Sequence, residues 1–121
     1  WDLKYAPPRV PSYSYPIAAV PGRTPRMPQG PWVPPGTYTV RLTALGKTLE
    51  RQLLVRMDPR VKASAEDLQL QFELSMQLYR RLSDATDTGG VAQMLSVYGM
   101  LQGADVRPTP QLIAAARELL R

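Results

Sequence analysis

The chain has 121 residues, a net charge of +5 and no cysteine or histidine. That length fits one domain, or a small domain with an appendage. The composition excludes disulfides, thiolate chemistry and histidine-based catalysis or metal ligation. Asparagine is also absent, so no Asn-linked glycosylation site exists. No stretch of about 18 apolar residues is present, which excludes a membrane-spanning helix. The basic residues are mostly arginines dispersed along the chain, and Arg80-Arg81 is the only adjacent pair. A nucleic-acid footprint clusters its charges, so no nucleic-acid partner is expected.

"WDLKY" (1–5) alternates Trp1, Leu3 and Tyr5 with Asp2 and Lys4, the period of a short half-buried strand. Pro7-Pro8 ends it, because proline cannot donate to a ladder. Ten of the thirteen prolines fall between Pro7 and Gly36. That segment is expected to be extended, with a brief strand at Ile17–Val20. Two P-x-x-P spacings, Pro8–Pro11 and Pro25–Pro28, fit a ligand for an aromatic-lined groove. The plainer reading is an ordered loop lying on a β-domain and stapled by Tyr13, Tyr15 and Trp32. A free ligand tail would carry fewer aromatics.

"TYTVRLTA" (37–44) is a regular alternation, with Tyr38, Val40, Leu42 and Ala44 on one face. Taking Gly46-Lys47 as the two central turn residues sets Ala44 opposite Leu49, Val40 opposite Leu53, Tyr38 opposite Val55 and Leu42 opposite Arg51. One face of the hairpin is then buried and the other wet, as in a sandwich sheet. Pro59 biases Asp58 away from helix geometry and ends the second strand.

Ser64 and Asp67 form a capping-box variant that opens a helix over about 65–83. Leu68, Phe72, Met76, Tyr79 and Leu82 make one stripe on it, and Leu70, Leu74 and Leu78 a second. So broad an apolar face requires two packing surfaces. "DATDTGG" (84–90) is a loop, read as a shortened tip or a join. A second helix runs from Val91 to about Gln102, with Gly103 as its stop. Thr109-Pro110 is an N-cap followed by proline at the first helical position of a third helix.

The serines have no histidine to activate them. No Gly-rich loop joins a strand to a helix. The ten carboxylates are scattered. Asp2 and Asp58 could meet in space, but Asp58 suits a turn better. No catalytic set, cofactor-binding residue or metal site is therefore expected.

The phrases "WDLKY", "GPWVPPGTYTVRLTALGKTLERQLLVRMDPR", "SAEDLQLQFELSMQLYRRLSDA" and "LQGADVRPTPQL", in that order, resemble the C-terminal region of large bacterial propeller proteins with BNR/sortilin-type repeats, often labelled glycosyl hydrolase-like. The likeness covers nearly the whole chain. It implies an α+β architecture: an antiparallel Ig-like or fibronectin-like β-sandwich, incomplete here, followed by a helical hairpin and a C-terminal helix. Residues 1–60 would be the sandwich part, with 7–36 its proline-rich crossing loop, and 61–121 the helical appendage. In such proteins further strands precede the "WDL" strand, and the helical hairpin is longer.

The resemblance also implies a non-catalytic structural or interaction module of an extracytoplasmic bacterial protein, periplasmic or secreted. Its partner would be the parent β-propeller, or a second copy met through an open sheet edge or an apolar helix face. Trp1, Tyr38, Val40, Leu53 and Val55 would then pack the sandwich, and Leu68, Phe72, Met76, Tyr98 and Leu101 the helices. The alternative is a carbohydrate- or peptide-binding accessory module whose ligand contacts are Tyr13, Tyr15 and Trp32.

Overall fold

The computed structural model describes residues 1–85 and 89–121. The reading of 84–90 as a shortened tip or a join falls partly on 86–88, outside the described residues. The architecture is α+β. A two-stranded antiparallel sheet, β1 (Gly36–Ala44) and β2 (Lys47–Val55), precedes three helices, α1 (Ala65–Asp84), α2 (Val91–Gln102) and α3 (Pro110–Leu119).

The helices begin where their local chemistry dictates. Ser64 Oγ accepts the Asp67 N–H at 3.1 Å, and Thr109 Oγ1 accepts the Leu112 N–H at 3.2 Å ahead of Pro110. Each cap satisfies an N–H that has no partner inside its helix. Gly103 takes the C-cap position of α2 but in a right-handed conformation, its N–H bonded to Met100 O.

The buried core is helical. It joins Leu74, Leu78 and Leu82 of α1 to Val91, Met94, Val97, Tyr98 and Leu101 of α2, and to Ala116 of α3. The broad apolar face of α1 meets both other helices, as its width requires. Leu68, Phe72 and Met76, expected in this core, are only half-buried.

The deepest line of α1 instead includes Gln71 and Ser75. Gln71 Nε2 donates to Leu101 O and, at 2.7 Å, to Ala104 O. Carbonyls at the end of a helix lack internal partners, and α2 carries no basic residue in its last turn to supply them. The Gln71 amide supplies them across the helix interface. Ser75 Oγ donates to Gln71 O at 2.7 Å and accepts from Gln102 Nε2 at 2.8 Å. Gln102 Oε1 accepts the Trp32 N–H at 3.0 Å. Among the described residues no buried side-chain polar atom lacks a partner.

The proline-rich arm is ordered, but the surface beneath it is helical rather than a sheet. Pro8 and Pro31 are fully buried. The Arg9 N–H donates to Ser83 Oγ of α1 at 3.3 Å, and Tyr98 of α2 donates its hydroxyl to Gln29 O at 2.8 Å. The expected strand at Ile17–Val20 does not form. Those residues turn, with Ala19 N–H bonded to Pro16 O and Arg23 and Thr24 N–H to Val20 O. The arm pairs at Ser14–Met27 instead.

"WDLKY" contributes one bridge, Lys4 to Trp32, fixed by Tyr5 N–H to Pro31 O at 3.0 Å and Val33 N–H to Leu3 O at 2.9 Å. Gly30 is required beside it, because a Cβ there would collide with the Tyr5 carbonyl.

The hairpin differs from expectation in register. Its central turn residues are Leu45 and Gly46, not Gly46 and Lys47, and both have positive φ (50° and 71°). That is a type I′ turn, whose twist matches the flanking strands. Tyr38 therefore faces Leu53, Val40 faces Arg51 and Leu42 faces Leu49. A shift of two partners keeps each side chain on its original face. It also aligns the polar face. Thr43 and Thr48 hydroxyls lie 3.1 Å apart, Arg41 Nε donates to Glu50 Oε1 at 2.7 Å, and Gln52 Nε2 donates to Thr39 Oγ1 at 3.1 Å.

The apolar face of the hairpin, expected to be buried, is open within this chain. Leu42 and Leu49 are 62% and 61% exposed, and Trp1, Val40 and Leu53 are exposed too. No Cα of either strand lies within 8 Å of a helix Cα. Only the base is fastened, by Tyr38, which donates to Pro34 O at 2.6 Å and takes Trp1 edge-on at 5.6 Å.

Two outcomes follow from this arrangement. Gln71→Ala orphans the Leu101 and Ala104 carbonyls and is expected to cost about 2 kcal/mol, read by urea unfolding; an unchanged midpoint would show that the amide is dispensable. Leu45→Asn relieves a left-handed leucine and is expected to stabilise the hairpin by about 1 kcal/mol. Because the hairpin stands clear of the helices, hydrogen exchange at 36–55 should slow while the global melt stays put.

Candidate functional site

Three surfaces merit comparison: the residues expected from sequence to touch a ligand, the carboxylates, and the groove beneath the arm.

Tyr13 is half-buried. Its hydroxyl donates to Pro8 O at 2.8 Å, and the Arg26 guanidinium lies 3.9 Å from its ring centroid. Tyr15 is exposed, and so is Trp32. Trp32 lines the groove between the arm and α2, as do Ser12 and Ser14, whereas Tyr13 and Tyr15 are not among its lining residues.

Asp58 holds a turn. Its carboxylate accepts the Arg60 N–H at 2.9 Å and Arg60 Nη2 at 2.6 Å, while Asp58 O accepts from Val61 N–H. The Arg60 side chain, then its backbone N–H, holds the Asp58 carboxyl below its ordinary range. Among the described residues no group of three or more His, Cys, Asp or Glu could hold a metal ion. No described helix is long and apolar enough to cross a membrane.

The groove between the arm and α2 encloses about 560 Å³. Its walls are Met27 and Trp32 from the arm, and Leu95 and Tyr98 from α2. Lys4 also lines it. Its Nζ donates to Gln29 Oε1 and lies 4.1 Å from the Trp32 ring centroid. The period-2 reading of "WDLKY" put Lys4 on a solvated face. Its position in a groove depends on pairing with Trp32, which lies 28 residues away in the chain.

Tyr98 is the buried titratable group of this region. Burial pushes its phenol well up, and the neighbouring Tyr79 adds to the shift.

Comparison with protein-family models, with curated proteins and with solved structures returned no match.

The Tyr98 environment sets an alkaline limit on stability. A phenol whose folded-state pKa is raised contributes fully below its unfolded value near 10, and that contribution is lost as pH rises above it. The melting temperature is expected to fall from about pH 10 upward. In Tyr98→Phe that alkaline limb should flatten, although the variant loses the bond to Gln29 O and starts lower. An identical limb in both proteins would assign the titration elsewhere.

Proposed function

We propose that this chain is a non-catalytic structural and interaction module whose hairpin is covered by another polypeptide surface. The observation that carries this reading is the apolar face of β1 and β2. Val40, Leu42, Leu49 and Leu53 stand exposed on a hairpin with no Cα within 8 Å of a helix Cα. An isolated two-stranded hairpin is marginal in water, and an exposed apolar sheet face marks a docking surface. Both outer edges also present unpaired backbone groups. Leu45 at the tip is fully exposed and held at positive φ, a second apolar group with no use inside the chain.

An Ig-like sandwich accounts for these features. The hairpin would supply two strands, and its apolar face would close against a second sheet. The resemblance to the C-terminal region of BNR/sortilin-type propeller proteins names the source of that sheet: the parent protein, extracytoplasmic and bacterial. The helices and the strapped arm form the rigid platform from which the hairpin projects.

The test is hydrogen exchange at residues 36–55, in the isolated 121-residue chain and in the longer parent protein, with sedimentation of both. The proposal expects fast exchange in the isolated chain and strong protection in the parent. Protection that rises with concentration would identify a second copy as the covering surface. Equal, fast exchange in both, with a monomeric isolated chain, would remove the docking role.

A further inference from the structure

We propose that the groove between the proline-rich arm and α2 binds a small molecule with an apolar body and one carboxylate, and that Lys4 holds the carboxylate. A volume of about 560 Å³ suits a ligand of that class, since such sites commonly enclose about 300–1,000 Å³. The walls from Met27, Trp32, Leu95 and Tyr98 are apolar or aromatic. Among the residues lining the groove, Lys4 carries the only formal charge.

The position of Lys4 is set by the fold. Its backbone is fixed by the bridge to Trp32, and its ammonium rests over the Trp32 ring and against Gln29 Oε1. An ammonium has three donors, and Gln29 takes one. No ion pair among the described residues includes Lys4. The neighbouring acid, Asp2, accepts from the Lys4 backbone N–H at 3.3 Å. An entering carboxylate therefore meets a cation with donors to spare.

Two of the groove's polar side chains are committed internally. Both ends of the Gln102 amide are bonded within the protein, and the Tyr98 hydroxyl donates to Gln29 O. A single anionic head on an apolar body is well served.

The experiment uses the full 121-residue chain with Trp1→Phe, so that Trp32 is the sole tryptophan. Decanoate is titrated against Trp32 emission, with decanol and decyltrimethylammonium as neutral and cationic controls. A saturable one-to-one change with decanoate is expected, with both controls at least about tenfold weaker, since a hydrogen bond to a charged group has that worth. Lys4→Met should weaken decanoate about tenfold and leave decanol unchanged. Gly99 lines the groove, and a Cβ there meets nothing within 4 Å. Gly99→Leu should therefore intrude on the groove and weaken binding, while Gly99→Ala should retain it.

Amide chemical shifts supply a readout independent of these variants. Changes confined to residues 4, 27–32 and 95–103 support the site. Changes confined to 36–55 would show that the open hairpin face absorbs the amphiphile, and would overturn the proposal. Equal affinity for the cationic control, or decanoate binding unaffected by a folded Gly99→Leu, would overturn it as well.

Discussion

A polar relay with a buried centre, Gln71 and Ser75, is the constraint on which the rest of the molecule depends. It runs from the Trp32 N–H through Gln102 and Ser75 to the Gln71 backbone, and from the Gln71 amide to the carbonyls that end α2. Apolar packing alone would let α1 and α2 slide along one another. The relay fixes their register, because a displacement would strand several buried polar groups at once. It also reaches the arm. The same Gln102 side chain that locks α2 to α1 holds the backbone at Trp32, from which the chain passes through Val33–Pro35 into β1.

The molecule thus divides by how its parts are held. Helices and arm share a core and a network of directional bonds. The hairpin is held along its length by its own ladder and by three polar rungs, with only Tyr38 and Trp1 bracing its base. Local stability follows the density of buried contacts, so the strands belong to the weakly held end of the structure. An element that projects, keeps an apolar face and stays weakly held in isolation suits a part that is completed by something else. The groove belongs to the opposite regime, with its walls set by the rigid core.

Legibility in the sequence followed the range of the interactions. Caps and helical stripes are local, and Ser64, Thr109 and the starts of all three helices could be read directly. The hairpin could be read too, but its register could not. Glycine-first turn logic favoured Gly46-Lys47, whereas the chain places a leucine at positive φ. The signal that would have corrected this lay on the polar face, where only one register matches Thr43 with Thr48, Arg41 with Glu50 and Thr39 with Gln52. Gln71 and Ser75 sit between two leucine stripes and read as polar interruptions. Their role appears only when the end of α2 arrives beside them. Lys4 was misplaced for the same reason, since its place in the groove depends on a bridge to Trp32, 28 positions away.

One contact in the arm separates what must be kept from what is free to vary. Ser14 and Met27 exchange both backbone bonds, and Tyr13 is pinned between Pro8 O and Arg26. On the helical side of that clasp Pro8 and Pro31 are fully buried, Val10 packs against the core, and Pro28, Gln29, Gly30 and Trp32 line the groove. The turn beyond it, from Tyr15 to Pro25, is mostly exposed, with Ile17 wholly so. A closed neck with a solvated loop outside it is a natural insertion point. An epitope or a small folded domain grafted between Ile17 and Gly22 would be carried on the outer surface, with the clasp shielding the helical platform from its length and sequence.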